Sequence, residues 1–133
     1  MTIIYLKLKY CGYAYSLFER ILQSEQYIGE SIPSNRLFAQ FHSPQTASMK
    51  EEIIREIKNS DSNIRVIFAT SALGMGVDAS HIVNIIHISP PASLEAYFQE
   101  IGRAGRRNLA ATATLYYNNE DIGKNLTYSL VKS

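Results

Sequence analysis

The chain has 133 residues, 46% of them hydrophobic, with 13 basic side chains against 12 acidic ones and a net charge of +1. That is enough apolar material for one compact core, and the balanced charge excludes a general basic field, so any nucleic-acid contact must come from individually placed groups. Cys11 is the only cysteine, which excludes an internal disulfide and a cysteine-rich zinc site and points to a reducing intracellular setting. His42, His81 and His87 are scattered without a ligand pair at helical spacing, so no protein-held metal is expected. Lys7 and Lys9 interrupt the N-terminal apolar stretch where a signal peptide would have its apolar run, and no run approaches the length of a membrane span, so a soluble protein is expected.

Apolar β-branched runs alternate with helical patterns along the chain. TIIYLKL (Thr2 to Leu8) predicts a strand, and YAYSLFERILQSEQ, with Tyr13, Leu17, Ile21 and Leu22 on one face, predicts a helix. GESIPSN (Gly29 to Asn35) carries the turn formers of a linker. NRLFAQF predicts a short strand; after it Ser43 is placed to cap, and Pro44 to open, a helix from about Gln45 to Asn59 whose buried stripe is Met49, Ile53, Ile54 and Ile57. IRVIFA (Ile64 to Ala69) and IVNIIHI (Ile82 to Ile88) are nearly continuous apolar runs, as in strands covered on both faces. Pro90 and Pro91 end the second run, Ser93 can cap a helix through LEAYFQEI with Leu94, Tyr97, Phe98 and Ile101 at helical spacing, and ATATLYY predicts a last strand. Residues 1–117 are thus read as one domain, and 118–133, mostly polar, as a C-terminal helix or frayed tail.

This alternation predicts a three-layer α/β fold, a mostly parallel sheet with helices on both faces and ligands at the carboxyl ends of its strands. ATSALGMGVD (Ala69 to Asp78) lies at such an end. Gly74, Gly76 and Ala79 satisfy the dinucleotide pattern G-x-G-x-x-A, but a strand pattern follows where that motif needs a helix N-terminus, and Asp78 would repel a phosphate. The second polar cluster is QEIGRAGRR (Gln99 to Arg107). Three arginines so close call for an anionic partner, although a cation at a helix C-terminus also suits the dipole, and for Arg107 alone the two readings weigh equally. A glycine immediately before Arg103 and before Arg106 lets the backbone approach a ligand or a facing domain.

Taken together, ATSALGMGVD and YFQEIGRAGRR closely resemble motifs V and VI of the RecQ-like branch of superfamily 2 helicases, whose usual forms are similar to ATxAFGMGxD and YxQExGRAGRDG. TIIY resembles the strand of motif IV, and FAQFHSPQTASMKEEIIREI the family's histidine-containing loop and following helix. The resemblance implies the second RecA-like domain of an ATP-dependent 3′ to 5′ DNA helicase, working with ATP and Mg²⁺ held mainly by a first RecA-like domain. It implies that Arg103 and Arg106 are catalytic arginine fingers, and that Gly76, Asp78 and Gln99 join them in binding nucleotide. Thr70, Ser71, Gly74 and Ser43 would contact the backbone of single-stranded or partially duplex DNA. In a eukaryote it implies a nuclear location.

No G-x-x-x-x-G-K-[ST] loop occurs in the sequence and no Asp-Glu pair ends an apolar strand, so the isolated chain is expected to be inactive. Leu6 stands where the family often has cysteine, Ile101 where threonine is usual, and Arg107-Asn108 where Asp-Gly is usual; asparagine tolerates a positive φ less well than glycine. A non-catalytic module derived from a helicase, binding nucleic acid or a partner, is the alternative. The intact Thr70, Asp78, Arg103 and Arg106 favour the enzyme reading, because a pure binding module has no chemical use for two finger arginines.

Overall fold

A computed structural model of the chain describes residues 1–70, 73, 82–88, 91, 93–102 and 111–117. Its strands are β1 (Thr2–Tyr5), β2 (Phe38–Phe41), β3 (Val66–Ala69), β4 (Asn84–Ile88) and β5 (Thr112–Tyr116), and its α-helices are α1 (Leu8–Leu22), α2 (Ala47–Lys58) and α3 (Leu94–Ile101). The strands form one sheet in the order β2-β3-β1-β4-β5, every pair parallel. Phe41, Ala69, Tyr5, His87 and Leu115 lie in register across it near the carboxyl ends. The C-terminal segment 118–133 lies outside the described residues.

Side chains in register share a face, so the packing identifies the layers. Phe18 of α1 meets Phe38 and Phe68 edge-on, with ring centroids 5.5 and 4.8 Å apart, which puts α1 on one face. On the other, Ile3, Tyr5, Phe41, Ile67, Ala69 and Ile85 form the core with Ile57 of α2, and Ile53, Ile54 and Ile101 pack against it. The crossover from β1 to β2 runs one way along the sheet over the first face. Those from β2 to β3 and from β4 to β5 run the other way over the second, as a single handedness of crossover requires. The three-layer α/β architecture expected from the alternation is the one found.

Several boundaries differ from expectation. The first strand stops at Tyr5 and α1 begins at Leu8, five residues before Tyr13. Lys7 at the N-cap makes no side-chain bond and Gly12 weakens helix propensity, so the start carries no local signal. α1 ends at Leu22 and continues as a 3₁₀ turn, Gln23–Gln26, entered through Gln23 at φ 48, a conformation that favours glycine. Thr46, not Ser43, caps α2: its hydroxyl accepts from the Met49 amide at 3.3 Å. With the helix starting later, Met49 falls in its first turn and stays 50% exposed, while Ile57 is buried and Ile53 and Ile54 are half-buried. In α3 the inward side chains are Tyr97, Glu100 and Ile101, a spacing that turns Phe98 to solvent. β4 is less enclosed than expected, with Ile88 at its end exposed.

Candidate functional site

The chain leaves β1 toward α1 on one face. Leu73 after β3, Ile82 before β4 and Ile101 in α3 all pack on the opposite face. Neighbouring strands whose connections part to opposite faces leave a crevice at their carboxyl ends, and here it lies at the end of β1 between β3 and β4.

Thr70 stands on its rim, half-buried. Its amide donates to the Phe41 carbonyl at 3.1 Å and its carbonyl accepts from the Leu73 amide at 3.1 Å, so the chain turns sharply back into the core at Leu73. On the adjoining strand end the Gln45 amide donates to the His42 carbonyl at 3.2 Å, closing a turn with Ser43 and Pro44 exposed at its tip. The Gln45 side chain clamps this turn: its Oε1 accepts from the His42 amide at 3.0 Å and its Nε2 donates to the Gln40 carbonyl at 2.9 Å. Ser43 therefore sits at the carboxyl edge beside Thr70, but it does not open the helix. A cavity of about 290 Å³ lies beside β2 among Tyr15, Arg36, Gln40, Met49 and Ile53; it does not include Thr70.

On the other side of the crevice Ser93 caps α3, its hydroxyl accepting from the Ala96 amide at 3.0 Å. Gln99 is exposed on this helix. Glu100, next to it, is buried and meets the buried His87 of β4, Oε2 to Nε2, at 2.5 Å. Which of the two atoms donates depends on the imidazole tautomer. The imidazole stacks on its register partner Tyr5 (centroids 4.8 Å apart, 16° between planes) and touches Tyr97 at 5.0 Å, while its Nδ1 finds no hydrogen-bond partner among the described residues.

That contact sets the direction of the helix. An α-helix that simply ran back over its own strand would carry its last turn toward the amino end of the sheet. Glu100, in the last turn of α3, instead meets His87, one residue from the carboxyl end of β4. The helix therefore delivers its exit residue, Gly102, beside the crevice. The Gly102 amide closes on the Phe98 carbonyl at 3.0 Å, and a Cβ there would lie 3.1 Å from the same oxygen, tighter than a side chain accepts without movement.

Of the site residues expected from the sequence, Thr70, Ser43 and Gln99 are described and lie around this edge. Ser71, Gly74, Gly76, Asp78, Arg103 and Arg106 lie outside the described residues, as do Arg107 and Asn108. The buried Tyr5, His87 and Glu100 cluster was not anticipated. Its one sequence signal is a titratable side chain inside each of two otherwise apolar patterns, IVNIIHI and LEAYFQEI.

Fold and edge define a doubly wound RecA-like α/β domain. Residues 5–108 match the model of the helicase conserved C-terminal domain. The chain is 38% identical over 95 residues to the ATP-dependent DNA helicase RecQ of Pasteurella multocida, covering 71% of this chain and 15% of that protein. It is 46% identical over 65 residues to the ATP-dependent DNA helicase Q1 of Pongo abelii, covering 49% of this chain and 10% of that one. Domain 2 of the DEAD-box helicase Mss116p, solved with an RNA duplex, superposes with a TM-score of 0.73 at 16% identity over 91% of this chain and 43% of that one. Mycobacterium smegmatis helicase Lhr, solved with single-stranded DNA and AMP-PNP, gives 0.68 at 19% identity over 86% of this chain and 14% of that one. The chain belongs to the helicase conserved C-terminal domain family, in its RecQ-like branch. It spans only about 15% of the length of the bacterial RecQ helicases it matches.

Proposed function

We propose that this chain is the second motor domain of an ATP-dependent 3′ to 5′ DNA helicase. Arg103 and Arg106 reach the nucleotide when a first motor domain closes on it, their planar, permanent cations stabilising charge on the transferred phosphoryl group. Gly76, Asp78 and Gln99 complete the nucleotide side of the cleft. Thr70, Ser71, Gly74 and Ser43 hold the backbone of single-stranded DNA, contacts that position a strand without reading its bases. ATP and Mg²⁺ rest mainly on the first domain, because this sequence has no phosphate-cradling lysine loop. The domain alone therefore hydrolyses no ATP, and its few cations give weak DNA binding with a shallow salt dependence. The setting that fits this work is intracellular, and nuclear in a eukaryote.

The observation that carries the reading is the placement of the last turn of α3 at the carboxyl edge. It brings Gly102, the residue before Arg103, to the same crevice as Thr70. A strand-positioning hydroxyl at the edge where α3 ends, with only Gly102 between the helix and the arginine cluster in the sequence, supports a coupling of DNA contact to phosphoryl transfer.

The test uses this domain joined to a RecQ-type first motor domain. A finger acts mainly on the transition state, so Arg106→Ala should lower DNA-stimulated kcat by up to about 10³-fold, with a much smaller change in ATP affinity, and Arg106→Lys should recover little. Arg107→Ala should have a small effect on both. Equal small losses at 106 and 107 would show that neither cation takes part in chemistry.

A further inference from the structure

We infer that His87 and Glu100 form a positioning pair, which holds the exit of α3 at the carboxyl edge and so fixes Gly102, the residue before Arg103 in the chain. The inference rests on the function proposed above and adds two buried residues to which that function assigns no role.

The argument begins with what a buried charge costs. A carboxylate and an imidazole taken out of water contribute little net stability compared with apolar side chains of similar volume. Burial of both, 1% exposed for His87 and 7% for Glu100, therefore calls for a reason other than cohesion. Apolar contact is non-directional and lets a short helix slide or roll on a sheet, whereas a hydrogen bond fixes distance and angle. Here the imidazole itself is held. His87 is anchored in the β4 ladder, and Tyr5 lies on its ring at 4.8 Å, fixing the ring plane. Nε2 is left facing α3, where Glu100 takes it at 2.5 Å. Two residues further on, Gly102 closes tightly on Phe98. The helix is thus bound to the sheet at residue 100 and closed on itself at residue 102, immediately before Arg103 in the chain. An offset of about an ångström in such a positioning element costs up to about 100-fold in rate.

The experiment uses the two-domain protein. His87→Phe with Glu100→Leu replaces the pair by apolar groups that still fill the space and stack on Tyr5. The expected result is a thermal midpoint at or above that of the wild type, with DNA-stimulated kcat reduced about 10- to 100-fold and ATP affinity nearly unchanged. A role in stability alone predicts the reverse, full kcat wherever the protein folds, and that result overturns the inference. Placing the same two changes in the Arg106→Ala background should add little further loss, since the pair acts through the arginines. An undiminished further loss also overturns it. Failure of the functional reading is separately visible, because Arg106→Ala alone would then leave kcat intact. If the apolar pair does not fold, Glu100→Gln and Glu100→Asp decide. Gln keeps an acceptor at the same reach and should retain most of kcat, while Asp draws the carboxylate back by one methylene and should lose it; equal kcat for the two counts against positioning.

Discussion

Replacement of Arg36 by alanine tests how the turn-rich segment between α1 and β2 is held. The Arg36 guanidinium donates to the hydroxyl of Tyr15 and, at 2.7 Å, to that of Tyr27. It lies 5.5, 5.2 and 5.9 Å from the ring centroids of Tyr15, Tyr27 and Phe38. One side chain thus ties helix, loop and edge strand. Two hydrogen bonds from a charged donor, at about 1.5–3 kcal/mol each, and three ring contacts, at about 0.5–1 kcal/mol each, sum to more than the net effect. Ordering the side chain costs about 2 kcal/mol, and the freed hydroxyls of these partly exposed tyrosines regain water. The expected net loss for Arg36→Ala is therefore about 2–3 kcal/mol, or a fall in Tm of roughly 8–12 °C for a domain of this size. Urea unfolding followed by circular dichroism measures it, with an unchanged m-value showing that the denatured state is not the cause. Arg36→Lys should recover less than half, because an ammonium cannot span two hydroxyls and lie flat on a ring. A loss below about 0.5 kcal/mol for alanine, or full stability with lysine, would refute the reasoning.

The capping correction gives a paired test: Thr46→Ala should cost about 1 kcal/mol, while Ser43→Ala should stay within about 0.5 kcal/mol, as read from urea midpoints. Cys11 is buried, and burial pushes its thiol up, so native protein should react slowly with a disulfide reagent at pH 8 and rapidly once urea opens the core. The same shift has a sign in stability. The folded thiol holds its proton more tightly than the unfolded one, so the contribution is fully present below the unfolded thiol's pKa, about 8.5, and is lost as pH rises through the folded value. Urea midpoints of wild type and Cys11→Ala should therefore converge or cross as pH is raised from 7 to 10; a constant difference would contradict the assignment.

The legible features were those whose cause lies within a few residues. IVNIIHI announces a strand because most of its residues are apolar and β-branched, and Ser93 announces α3 because the cap bond runs only three residues, to Ala96. The start of α1 was illegible for the converse reason: Lys7 forms no cap bond, and packing of residues such as Cys11 and Phe18, not local propensity, decides that this segment is helical. At the start of α2 the cap is Thr46 and not the expected Ser43, and the Gln45 side chain is the reason. By bonding both the His42 amide and the Gln40 carbonyl it holds residues 42–45 as a turn and delays the helix to Thr46.

The same division runs through the site. Thr70 and Gln99 are legible through the resemblance of ATSALGMGVD and YFQEIGRAGRR to family motifs, and Ser43 through its place after the NRLFAQF run. The contact between His87 and Glu100 is not legible in this way, because the two stand 13 residues apart on different elements and neither periodicity implies the other. The local signals nevertheless make the contact possible. Pro90 and Pro91 end the strand pattern, so the chain must turn at the carboxyl edge before Ser93 opens the helix. An eight-residue helix is only about 12 Å long. A helix so short, started at that edge and bound back to the strand end by its last turn, keeps its whole length near the crevice. A longer α3 with an apolar residue in place of Glu100 would satisfy the same sequence pattern and bury its inner face equally well. It would release the chain toward the far side of the sheet, away from the edge where Thr70 stands.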